Sequence, residues 1–165
     1  MDNNLYDNKK GIFELNSSHL SFNKNNEIVS LHENFLNKSY LLLFYAPWCG
    51  HCKTMVNEIT NLGEQLYNDN FVVGAVNCEK QKDVSNKFSI NGFPTIYLSV
   101  GNKTELYNGD RTVEGFKNGL AEARKLQKTV MSGGGKAKRN IKSRNINKNS
   151  RKNNRRLSRR SFYYL

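Results

Sequence analysis

The apolar and polar positions of the chain fall into blocks that predict its elements in order. Tyr40 to Tyr45 (YLLLFY) is an unbroken apolar run, which predicts a strand buried on both faces, ending at Ala46-Pro47. From Cys49 to about Tyr67, the apolar residues Met55, Val56, Ile59, Leu62 and Leu66 recur at helical spacing. Phe71 to Val76 (FVVGAV) predicts a second buried strand, and Asp83 to Phe88 a short helix closed by Asn91-Gly92. Thr95 to Val100 (TIYLSV) is rich in strand formers, and Gly101-Asn102 turns it into Thr104 to Tyr107 as a hairpin. Thr112 to about Lys128 predicts an amphipathic helix with Val113, Phe116, Leu120 and Ala123 inward. Ahead of these, residues 1–26 read as a polar extension with one strand-like patch, Gly11 to Leu15. Glu27 to Leu36 reads as a short strand and a helical turn. The alternation describes an α/β domain over residues 27–131, a central mixed sheet flanked by helices.

Charge changes the picture only at the C-terminus. Residues 1–135 hold 14 of the 26 Lys and Arg and all 14 Asp and Glu, so the body is neutral. The net charge of +12 lies in residues 136–165, which carry no acid. Ser132-Gly133-Gly134-Gly135 (132–135) reads as a flexible linker. The tail 136–165, with two Ile, one Leu and a terminal Phe162-Tyr163-Tyr164-Leu165 amid dense charge, is expected to be disordered. Its run Lys136–Arg160 has the electrostatics of a polyanion binder. Nucleic acid is the leading expectation, an anionic membrane surface the second and nuclear import the third. A solvated tail with no dedicated partner is the alternative. Asn is abundant throughout, including within predicted helices, and carries no functional weight.

The three cysteines, Cys49, Cys52 and Cys78, are too few for a disulfide-stapled secreted domain. Met1 to Gly11 lacks the apolar core of a signal peptide, and Tyr40 to Ala46 is too short to span a bilayer. The last four residues are no retention signal of the KDEL kind. A cytoplasmic monomer that is not secreted is therefore the expectation.

Cys49-Gly50-His51-Cys52 carries the chemistry. A structural zinc site would need two further ligands, and Cys78, His19, His32 and His51 form no second pair at ligand spacing. Neither a metal nor a cofactor is expected. A redox dithiol belongs where a buried strand runs into a helix, and the motif sits at that junction. Helix N-terminal amides favour the Cys49 thiolate, and Cys52, one turn on and deeper, can attack a mixed disulfide at Cys49 and release the partner. His51 would add a cation beside the thiolate and make the disulfide more oxidising. Cys78 reads as a buried thiol acting as a small hydrophobe, with a regulatory disulfide as the alternative.

The segment Phe44 to Lys53 (FYAPWCGHCK) resembles the active-site segment of a protein disulfide isomerase catalytic domain, a branch of the thioredoxin family. Asn91-Gly92-Phe93-Pro94-Thr95 is similar to the family's Gly-aromatic-Pro-Thr loop, and Tyr107-Asn108-Gly109-Asp110-Arg111 to its Tyr-x-Gly-x-Arg turn. The likeness runs from about Glu27 to Lys128. It implies a thioredoxin fold and a redox-active Cys49–Cys52 disulfide exchanging with protein thiols or disulfides. It implies that Pro94 follows a cis peptide bond beside Cys49, with Phe93, Pro94 and Thr95 offering a backbone edge to substrate. Trp48 and Gly50 would shape the surface around the nucleophile. Arg111 looks like the family arginine that swings toward the second cysteine, a solvated turn arginine being the alternative.

The sequence also departs from the family. Six residues before Cys49, where the family usually has a buried acid that takes the proton of the second cysteine, stands Leu43. Where a lysine usually faces that acid stands Ala75, and Asn57 replaces a helix-kinking proline. Replacing both members of a buried ion pair can be neutral for stability. The consequence falls on Cys52, which should deprotonate less readily, so isomerisation should be weak beside simple oxidation or reduction. Two function classes follow: a thiol–disulfide oxidoreductase of the disulfide isomerase type, and a thioredoxin-like binding module of low redox activity tethered to nucleic acid or a particle by its tail. Relatives with Cys-Gly-His-Cys mostly work in the endoplasmic reticulum, which is the expected location if the N-terminus is processed. The virion of a large DNA virus of the cytoplasm is another setting that reconciles the motif with the missing signal.

Overall fold

The structure is a computed structural model that describes residues 4–24, 28–101 and 103–132. In chain order it contains β1 (Ile12–Glu14), β2 (Leu20–Phe22), β3 (Ile28–Leu31), β4 (Ser39–Tyr45), α1 (Gly50–Thr54), α2 (Val56–Leu66) and β5 (Phe71–Asn77). These are followed by α3 (Lys82–Lys87), β6 (Thr95–Val100), β7 (Lys103–Leu106) and α4 (Val113–Ser132). Five strands form one sheet in the order β1-β5-β4-β6-β7, and β2 and β3 pair as a separate ribbon. Strands β1 and β4 run parallel to β5, whereas β6 runs antiparallel to β4 and to β7. The sheet is therefore mixed, as the alternation of strands and helices predicts.

The unbroken apolar run becomes the middle of the sheet because both of its faces are covered. Leu41, Leu43 and Tyr45 point into one core layer with Ile59 and Leu62 of α2 and Phe116 and Leu120 of α4. Leu42 and Phe44 point into the opposite layer with Leu20, Phe35, Val72, Val76 and Val84. All five of these β4 residues are at most 1% exposed, which anchors the end of the strand that leads to Cys49.

Of the segment read as an extension over 1–26, the described residues 4–24 are part of this domain. Strand β1 pairs with β5 in the register Ile12↔Val73, Phe13↔Gly74, Glu14↔Ala75, and Tyr6 is 1% exposed in the core. The strand-like patch Gly11 to Leu15 is this strand, and what so short a pattern leaves undetermined is its place in the sheet. Its entry depends on Gly11, which has φ +75° and lies so close to the backbone of Gly63 in α2 that a Cβ would collide with the Gly63 carbonyl. The helix expected from Cys49 to Tyr67 is divided at Met55 into α1 and α2, while Asn57, at the family's proline position, is exposed. At the other end α4 continues to Ser132, so the first residue of the expected linker is helical. The rest of that linker and the tail 136–165 lie outside the described residues. Among the described residues no helix is long and apolar enough to cross a membrane.

Candidate functional site

Strand β4 ends at Tyr45, and four residues carry the chain to the start of α1. Cys49 is the N-cap residue of that helix, its N–H donating to the Ala46 carbonyl at 3.0 Å. Cys49 lies just under the surface at 8% exposure and Cys52 a turn deeper at 1%; with Cys78 they are free thiols. The Cys49 thiol donates to the Phe93 carbonyl at 3.5 Å, across to the loop whose Phe93–Pro94 peptide is cis. Two segments far apart in sequence thus meet at the first sulfur. Trp48 is 66% exposed and sets its ring edge against Phe93, with centroids 5.9 Å apart. Pro94 is buried, and Thr95 closes the loop by donating from Oγ1 to the Gly92 carbonyl at 2.7 Å. Gly50 is exposed, with open space where a Cβ would stand.

The two sulfurs are displaced in opposite directions. Burial, the largest single influence on Cys49, pushes its pKa up. It is outweighed by hydrogen bonding from the Cys52 thiol, by the backbone N–H groups of Cys52 and His51, and by the charge of Lys53, so the net shift is downward. Cys52 is pushed up to about 12, chiefly by burial, then by the neighbouring Cys49 and Cys78; the Ala46 backbone acts against these. The His51 main chain and the charge of Lys53 both favour the Cys49 thiolate, and the His51 side chain is exposed. Arg111 is exposed and donates from its guanidinium to the Pro94 carbonyl at 3.5 Å, holding the loop that faces Cys49.

The core beneath is apolar where the family has its ion pair: Leu43 and Ala75 are register partners on adjacent strands, 1% and 0% exposed. The next position across the sheet in the same row is Glu14 of β1. Its Oε1 accepts a hydrogen bond from the Tyr45 hydroxyl at 2.6 Å and one from the Tyr6 N–H at 3.2 Å. Burial raises the Glu14 carboxyl from the ordinary 4.5 to about 7 despite those two donors. No sequence signal could have found this cluster, because it exists only through the β1–β5 register. Cys78 lies in the other core layer, donates weakly to the Val76 carbonyl at 3.6 Å, and is pushed up to about 12 by burial.

Comparison with known proteins agrees with this geometry. The family model described as thioredoxin matches residues 21–122. Protein disulfide-isomerase A6 of Mesocricetus auratus is 35% identical over 132 residues, covering 78% of this chain and 28% of that protein. Protein disulfide-isomerase A3 of Gallus gallus is 40% identical over 83 residues, covering 48% of this chain and 16% of that one. The chain thus spans less than a third of the length of these curated relatives. The solution structure of the first thioredoxin domain of mouse protein disulfide-isomerase A4 superposes with a TM-score of 0.52 at 25% identity, covering 84% of this chain and 92% of that one. With its mixed sheet, its cysteine pair at a strand-to-helix junction and a family match over more than half its length, the chain belongs to the thioredoxin family.

Proposed function

We propose that this chain is a thiol–disulfide oxidoreductase acting on protein thiols and disulfides through Cys49 and Cys52. The observation that carries the reading is the asymmetry of two thiols one helical turn apart: the outer one is lowered in pKa and the inner one raised. At neutral pH the outer sulfur is the better thiolate and attacks a substrate disulfide, forming a mixed disulfide and releasing one substrate thiol. The inner thiol then gives up its proton and attacks Cys49. The Cys49–substrate bond breaks, and the second substrate sulfur leaves with the electron pair. Two electrons pass to the substrate, and the chain is left with a Cys49–Cys52 disulfide. Run backwards, the same steps oxidise a dithiol.

An insulin-reduction assay on the wild type and on Cys49→Ser tests this. The expected result is loss of turnover in the variant, and equal activity in both would contradict the reading. The basic run Lys136–Arg160 supports a second, separable role as a polyanion tether. Its mark would be duplex-DNA binding that weakens steeply between 50 and 200 mM salt and is lost when the Lys and Arg of that run are replaced by Ser. Binding unaffected by salt or by those replacements would refute it.

A further inference from the structure

We propose that the groove between the β6–β7 hairpin and α4 is a docking site for a partner protein. Its occupant is a short extended segment with apolar or aromatic anchors flanked by Lys or Arg, added as a strand to the free edge of β7. The site is separate from the exchange chemistry, since no residue of the cysteine motif or of the Pro94 loop lines the groove.

The groove has a volume of about 800 Å³ and an apolar floor, with Leu98, Val100 and Tyr107 on the hairpin side and Ala123 and Leu126 on α4. Leu126 is 63% exposed, a large apolar side chain left to solvent beside that floor. Two close contacts bracket the groove. At one end the Tyr107 ring lies against α4, where a Cβ on Gly119 would come within 2.7 Å of it. At the other, Gly101, with φ +60°, leaves room for the Gln127 side chain where a Cβ would collide with it. These contacts fix the separation of hairpin and helix, so the groove is built into the fold. From Gly119 to Gln127 the helix advances about 12 Å, the length of about four extended residues. Strand β7, which forms one wall, is four residues long, fully exposed and last in the sheet order. One side of it therefore has no ladder partner.

Charge selects the occupant. The lining carries four carboxylates, Glu105, Asp110, Glu114 and Glu122, against one cation, Lys103, which is ion-paired with Glu105 at 2.6 Å. Asp110, Glu114 and Glu122 are exposed and have no cation among the lining residues. Burial, then the charges of Asp110 and Glu122, hold the Tyr107 phenol above its ordinary range, so both carboxylates act on the floor. Residues 1–135 are neutral as a whole, which makes this a local excess of acid. Nucleic acid would be repelled, and a second copy docked face to face would set three more carboxylates against these. A segment with Lys or Arg beside apolar anchors matches both the charge and the floor. Main-chain hydrogen bonds to β7 would supply affinity, and the pocket for alternate side chains would supply specificity.

The probe is a fluorescein-labelled peptide, Arg-Arg-Phe-Thr-Leu-Arg-Arg, titrated with the full chain and followed by anisotropy. It should bind, whereas the same peptide with Glu in place of Arg, or N-methylated at alternate residues so that it cannot form a ladder, should not. The double variant Glu114→Gln, Glu122→Gln should weaken binding about threefold to tenfold, as expected for losing two exposed ion pairs. Leu126→Lys, which removes an apolar side chain and adds a like charge, should weaken it about tenfold or more. Both changes are at exposed positions and should leave the melting temperature unchanged. Amide shifts on binding should centre on β7 and α4. No binding by the wild type, equal binding of the Glu or N-methylated peptides, or wild-type affinity in both variants would overturn the proposal. Shifts centred on Trp48 and Phe93 would also overturn it, because they would place the peptide at the cysteine pair.

Discussion

Single residues divide the labour at the site. Cys49 and Cys52 have identical side chains, and what separates them is one helical turn of depth: main-chain donors and Lys53 at the outer sulfur, apolar core around the inner one. Burial holds the inner thiol protonated, and Leu43 places no proton acceptor at the family's acid position. Leu43→Glu should speed resolution of a mixed disulfide about tenfold by supplying a proton acceptor. The same change should lower stability by about 3–5 kcal/mol, since its register partner Ala75 offers no counter-charge. Unchanged exchange rates in that variant would show that the missing acid does not limit the reaction. Glu14 gives a second expectation. The folded chain holds this proton more tightly than the unfolded chain, so its contribution to stability is full below pH 4.5 and is lost as pH rises to about 7. Glu14→Gln keeps an acceptor for Tyr45 and Tyr6 and should therefore flatten the stability–pH curve over that interval, raising the melting temperature at pH 7.5 but not at pH 4.5. A curve of unchanged slope would contradict the assignment.

At the scale of elements, what was legible in the sequence was what local periodicity encodes. The runs YLLLFY and FVVGAV became β4 and β5, and TIYLSV became β6, one arm of the β6–β7 hairpin. The order of the two cysteines followed from the junction of β4 and α1. What was not legible depended on long-range approach. Strand β1 is three residues long and owes its place to the close contact of Gly11 with Gly63, which no window around either residue reveals. The start of α4 is another case. Thr112 accepts from the Gly115 N–H at 3.1 Å as a local cap, but the Val113 N–H donates to Glu58 Oε2 of α2 at 2.9 Å. Glu58→Ala should lower stability by about 1 kcal/mol, as losing a helix cap does, and leave the exchange rates unchanged. Chemical denaturation beside the insulin assay checks both halves of that expectation.

For the whole molecule, the mixed sheet and the flanking helices followed from the order of elements, and the domain begins earlier than its hydrophobic pattern suggests. The N-terminal segment matters because it carries Tyr6 into the core and sets Glu14 to accept from Tyr45 and Tyr6. The charge asymmetry between residues 1–135 and 136–165 separates a neutral body from a basic tail, so the two proposed roles can be tested independently. The measurement that bears most directly on the central claim is covalent trapping with a disulfide-bonded protein substrate. Cys52→Ser should accumulate a stable mixed disulfide, mapped by mass spectrometry to Cys49, and Cys49→Ser should form none. A trapped adduct at Cys78, or no adduct in either variant, would contradict it.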